Sequence, residues 1–136
     1  MRHRLSFTFA IVWLLSMAAC SAAPTAAQQP TLAAGLGGMS GSLPSAMDRW
    51  PDQPVTIFAA PYLGGGTYIL DPLNHPHTTL NAEGDFVLVN LAPGSYVLIA
   101  GPSAEQGSPV LDDAGQLLII EVSAGSILPV YNLYID

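Results

Sequence analysis

The chain has no lysine. Arg2, Arg4 and Arg49 are its only permanently cationic side chains, set against ten Asp and Glu. Without lysine there can be no Schiff-base catalysis and no internal Lys–Asn isopeptide bond. A surface of this sign is repelled by phosphate backbones and anionic headgroups, which excludes a nucleic-acid partner. Such acidity serves solubility, and the groups it would attract are cationic side chains or Ca²⁺. Cysteine is almost as scarce. Cys20 stands alone, so no disulfide can form within the chain and the fold must rest on its own core. No amphipathic helix of useful length is visible, and no apolar run reaches the roughly 20 residues that span a bilayer.

What is present begins with an address. Arg2, His3 and Arg4 precede an apolar run from Leu5 to Ala19 that ends in small residues, the pattern of a secretory signal. Met17-Ala18-Ala19 leads directly into Cys20. This resembles the bacterial lipobox, in which the cysteine becomes the first mature residue and carries lipid; Met17 stands where leucine is commoner. Two or three acyl chains, at about 0.8 kcal/mol per buried methylene, hold firmly. Residues 20–35 then hold small and polar residues without charge or hydrophobic period, which predicts a flexible tether. Ser21 rather than aspartate after the cysteine favours an outer membrane where one exists. The expected organisation is a signal peptide over 1–19, a lipidated cysteine and tether over 20–35, and one domain over 36–136.

That domain reads as all-β. Short apolar runs rich in β-branched and aromatic residues recur at roughly 8–12-residue spacing, which predicts seven or eight strands in a sandwich. The runs are a glycine-weakened Gly35–Pro44, Val55–Ala60, Thr67–Leu70, and then the most legible stretch, Thr78–Ala100. There the sequence predicts a meander: Thr78–Asn81 paired with Phe86–Val89 across Ala82-Glu83-Gly84, then a type II turn at Pro93-Gly94. The period of two puts Phe86 and Leu88 on one face, with Asp85, Val87 and Val89 on the other. Tyr96, Leu98 and Ala100 face together. Leu117–Val122 turns at Ser123-Ala124-Gly125 into a last strand, Ile127–Ile135, whose Tyr131 and Tyr134 lie on opposite faces. Ser45–Pro54 is a loop with room for one helical turn.

Asn81-Ala82-Glu83-Gly84-Asp85-Phe86 and Asn90-Leu91-Ala92-Pro93-Gly94-Ser95-Tyr96 resemble the core signature of carboxypeptidase regulatory-like domains. Val122-Ser123-Ala124-Gly125 is similar to the final turn of such domains. The resemblance implies a seven-stranded Ig-like, prealbumin-like (transthyretin-like) β-sandwich. Leu80 and Asn81 stand where the family usually has Thr-Asp, and Asn81 can hydrogen-bond its own turn as aspartate would. The fold serves many roles, so the resemblance implies architecture and not chemistry.

Few residues suggest a reaction. His75 and His77 could share a strand face toward a transition metal, but no third ligand is pointed to, and a solvated loop is the plainer reading. No nucleophile-elbow or zinc-helix motif occurs. Asp112-Asp113 with Gly115, and Glu83 with Asp85, place carboxylates at turns without the oxygen ladder that Ca²⁺ needs. Trp50, Tyr62 and Tyr68 sit at or beside loops and are the candidate ligand-binding residues, since exposed aromatics stack on sugar rings; filling the sandwich ends is their plainer role. The sequence thus predicts a lipid-anchored envelope module with a structural or protein-binding role, not an enzyme, using no cofactor and no metal. Its alternatives are a carbohydrate-binding surface lipoprotein and an envelope hydrolase with a loop-borne site. The expected partners are a membrane, through the lipid, and an envelope protein or glycan.

Overall fold

The computed structural model describes residues 30–136. The expected signal peptide, the Cys20 lipidation site and most of the 20–35 tether lie outside the described residues. Among the described residues no helix is long and apolar enough to cross a membrane.

The fold is all-β, two sheets facing each other. The strands are β1 (Gly37–Ser42), β2 (Thr56–Gly64), β3 (Thr67–Tyr68), β4 (His77–Thr79), β5 (Asp85–Leu91), β6 (Gly94–Gly101), β7 (Ser108–Pro109), β8 (Ile119–Val122) and β9 (Ile127–Val130). One helical turn and a half, α1 (Pro44–Arg49), joins β1 to β2, with Pro44 in the first turn where its missing N–H costs nothing. The smaller sheet has the order β5-β1-β9, with β5 antiparallel and β9 parallel to β1. In the larger sheet β2 and β6 form the antiparallel centre. β3 and β4 share the outer edge of β2, while β7 and β8 share that of β6.

Alternation along each strand builds the core between the sheets. Met39, Ile57, Ala59, Phe86, Leu88, Leu91, Tyr96, Leu98, Ile120 and Val122 are all buried there. Gly41 explains one glycine of β1. A β-carbon at that position would lie 2.9 Å from the Phe86 ring and 3.0 Å from Leu133, so the ring of the facing residue occupies the missing side chain's space. β2 and β6 are buried on their other face too. Phe58, Ala60, Val97 and Ile99 form a second cluster outside the larger sheet, covered by Tyr62, Tyr68, Leu70, Ala104 and Leu117. That is why both strands read as continuous apolar runs.

The expected meander is corrected. Thr78 and Thr79 do not pair with β5: β4 lies on β2, and β5 lies on β1 in the opposite sheet. Leu80 N–H donates to Val55 O (2.9 Å), which keeps the end of β4 in the larger sheet. The turn itself is as expected, with Asn81 Oδ1 accepting from Glu83 N and Asp85 N at 3.0 and 2.8 Å and Gly84 at φ 86°. It crosses between layers instead of closing a hairpin. Nor is Pro93-Gly94 a type II turn. Gly94 has φ 153°, already pairs with Val122, and the chain simply bends from β5 into β6. Tyr96 Oη donates to Ala92 O (2.7 Å) across this corner.

The last strand is also shorter than expected, and the chain beyond it leaves the smaller sheet. β9 stops at Val130, because Asn132 takes a left-handed φ of 56° and sends Leu133 into the core. Tyr134 then exchanges two backbone hydrogen bonds with Leu111 (2.7 and 3.0 Å), and both Tyr131 and Tyr134 reach solvent.

Candidate functional site

The richest surface lies along β2, β3 and β4, where the outer cluster meets solvent. Alternation on β2 sets Phe58, Ala60 and Tyr62 outward in one row. Gly64, Gly65 and Gly66 follow, all at positive φ (95°, 59° and 79°), and they return the chain so that Tyr68 pairs directly with Tyr62. A β-carbon at any of these glycines would touch nothing, so conformation alone requires them. Tyr62 Oη accepts from Gly66 N–H (3.0 Å) and ties the tip to its base. His77 pairs with Phe58, their ring centroids 5.6 Å apart.

Between β3 and β4 the chain is held by Asp71. Its Oδ1 accepts from Leu73 N (3.1 Å) and Asn74 N (3.3 Å), and its Oδ2 from Asn74 Nδ2 (2.6 Å). The Asn74 side-chain bond is the main reason the Asp71 carboxyl lies below its ordinary pKa, with the two backbone N–H groups and His75 adding to it. His75 Nδ1 accepts from Asp71 N–H (2.9 Å), so this imidazole carries its proton on Nε2. His77 Nδ1 is 3.1 Å from His75 O. Both imidazoles therefore serve the loop. Among the described residues no three His, Cys, Asp or Glu side chains gather into a metal-binding group.

The structure brings Tyr62 and Tyr68 together and sets Trp50 apart. Trp50 closes α1, stacks under the Arg49 guanidinium at 5.3 Å and rests on the inner core. Tyr62 and Tyr68 instead cover the separate cluster of Phe58, Ala60, Val97 and Ile99 on the other face of the larger sheet. A single platform of all three aromatics is not formed.

Of the carboxylates at the two turns, Asp112 has structural work. Asp112 repeats the Asn81 turn bond for bond. Its Oδ1 accepts from Ala114 N and Gln116 N (2.9 and 2.8 Å), and its N–H donates to Gln116 O (2.8 Å). Gly115, at φ 74°, donates to Asp112 O (3.0 Å). The shared pattern Asx-x-x-Gly was visible in the sequence at both places.

Neither a family model nor a curated protein matches this chain. The geometry must therefore speak for itself. What the residue-by-residue reading missed is apolar exposure: Leu63, Ile69 and Leu73 are 61%, 52% and 91% exposed along the same stretch. The signal was weak but present for Leu63, beside Gly64-Gly65-Gly66, and for Leu73, between Asp71-Pro72 and Asn74, whereas Ile69 stood in a run that read as strand.

Proposed function

We propose that the protein is an exported, lipid-anchored β-sandwich module of the cell envelope, held through Cys20 and engaging a protein partner with the β2–β3–β4 rim. The observation that carries the binding role is the exposure of Leu63, Ile69 and Leu73 on a segment whose neighbours are tied down. Aliphatic side chains held in water on a fixed base favour contact with another apolar surface. The anchor reading rests on Met17-Ala18-Ala19-Cys20. In fractionation, Cys20→Ser with a cleaved signal should leave the membrane, and retention there would refute the anchor. A photo-crosslinking residue at Leu73 should capture an envelope protein in intact cells. Leu63→Ser with Ile69→Ser should abolish that adduct; an unchanged yield, or no adduct, would refute the binding role.

The architecture proposed with this role is the seven-stranded, prealbumin-like sandwich of carboxypeptidase regulatory-like domains. Two features support it. β3 with β4, and β7 with β8, each occupy a single strand position beside β2 and β6, which reduces nine strands to seven positions. The Tyr96–Ala92 bond also resembles the tyrosine corner of Ig-like sandwiches. A glycan is the second reading, favoured by the Tyr62–Tyr68 pair. Binding on a glycan array that disappears in Tyr68→Ala would select it over a protein partner.

A further inference from the structure

The loop between β3 and β4 is closed at its base by a reciprocal pair of hydrogen bonds. His75 N–H donates to Asp71 O (2.8 Å), and Asp71 N–H donates to His75 Nδ1 (2.9 Å). Pro72 and Pro76 directly follow the two closing residues, so neither neighbour adds an N–H to the closure. Leu73 stands near the apex, 91% exposed, with its own N–H held by Asp71 Oδ1 (3.1 Å). The most exposed side chain of the rim is therefore presented by a loop whose closure runs through an imidazole.

The two histidines of this stretch answer a proton in opposite ways. Asp71 N–H can only donate, so His75 Nδ1 must offer it a lone pair, which that nitrogen has only while the ring is neutral. A carbonyl oxygen can only accept, so His77 Nδ1, 3.1 Å from His75 O, carries the hydrogen of that bond, and protonating Nε2 leaves it in place. Few ionisable groups surround His75. Asp71 shares its loop, and His77 opens β4. β2 holds the loop through Ala59 N–H to Pro76 O (3.0 Å) and brings only Tyr62, while β3 brings only Tyr68. No permanent cation among these opposes uptake of a proton at His75, and the Asp71 carboxylate, which is coupled to that ring by charge, favours it.

We propose that His75 is a pH-sensitive latch of the Leu73 loop, closed while the ring is neutral and released when Nδ1 takes a proton. With a hydrogen on Nδ1, two N–H donors would face each other at 2.9 Å, so the ring turns from Asp71 N–H toward the Asp71 carboxylate. The main-chain amide loses its acceptor, and the base of the loop keeps only the bond from His75 N–H to Asp71 O. Leu73 then rides on a looser segment. The consequence for binding rests on the reading of the rim given above. Ordering the loop again consumes part of the binding energy, so acid weakens capture at Leu73.

Nuclear magnetic resonance on the full chain in detergent reads the latch without any partner. At neutral pH the ring nitrogens of His75 should report the Nε2–H tautomer. The pH is then lowered from about 8 to about 5, the range in which histidines change charge. As the ring charges, protection of Asp71 N–H against exchange, taken relative to the intrinsic rate at each pH, should fall roughly tenfold, the effect of losing one hydrogen bond. Leu80 N–H, bound to Val55 O, should keep its protection and show that the domain stays folded. His75→Asn sets an amide oxygen that takes no proton where Nδ1 stood, and should remove the pH dependence; His77→Asn should leave it. An Nδ1–H tautomer at neutral pH, unchanged Asp71 protection as His75 titrates, or the same fall in His75→Asn would overturn the latch. With the photo-crosslinking residue at Leu73, the adduct should drop in acid in the parent chain and persist in His75→Asn. A parallel drop in both would overturn the regulatory role. No adduct at any pH would count against the rim as a binding surface, while the tautomer and the exchange rates decide the latch by themselves.

Discussion

Tyr96 shows how much one side chain can do at a corner. Its ring is buried in the core, while its hydroxyl donates to Ala92 O (2.7 Å), four residues back across the bend between sheets. Burial raises the phenol above its ordinary pKa. The sign of the linkage follows: a raised folded-state value stabilises the fold below the unfolded value of about 10, and that stability is lost as pH rises through the folded value. Tyr96→Phe keeps the ring and removes the hydroxyl. Urea denaturation at neutral pH should show a loss of about 0.5–1.5 kcal/mol, and the variant should lack the part of the alkaline destabilisation due to Tyr96. An identical alkaline limb in both proteins would mean that the phenol does not ionise against the fold.

At the scale of elements, β5 separates inside from outside within two residues. Phe86 is buried against Gly41 and Leu133, and Val87 is 41% exposed on the opposite face. Phe86→Ala should cost about 3–5 kcal/mol, a large share of the stability of any small domain, and one that no disulfide can offset in a chain with a single cysteine. Val87→Ala should cost under about 1 kcal/mol. Denaturation of the two variants side by side measures the contrast, and equal losses would mean an inverted register. This register was legible in the sequence because a strand's two faces alternate with every residue, whatever it pairs with. The Asn81 turn was legible for a similar reason, since its hydrogen bonds lie within five residues. Trp50 and the Tyr62–Tyr68 pair were not separable by the same means. They are separated by the side of the larger sheet against which each packs, and their sequence positions beside loops are alike.

Over the whole molecule, the strands differ in how deeply they are held. β2 and β6 are buried on both faces and paired on both edges, whereas β3 and β7 have two residues each on outer edges. Native-state amide exchange should be slowest in Ile57–Ala60 and Val97–Ala100 and fastest near the Gly64–Gly66 tip. Slowest exchange in β5 or β9 would instead place the stability centre in the smaller sheet.

The sequence by itself determined where most strands lie, the Asn81 turn and the inward face of β5, because each depends on residues a few positions apart. Only the tertiary structure decided which sheet each strand joins. From β4 to β6 the chain passes from the larger sheet to the smaller and back. A glycine turn or a Pro-Gly bend has the same local chemistry whether it closes a hairpin or crosses a sandwich. The choice is made by remote partners: Val55 holding the end of β4, β1 accepting β5, and Val122 meeting Gly94.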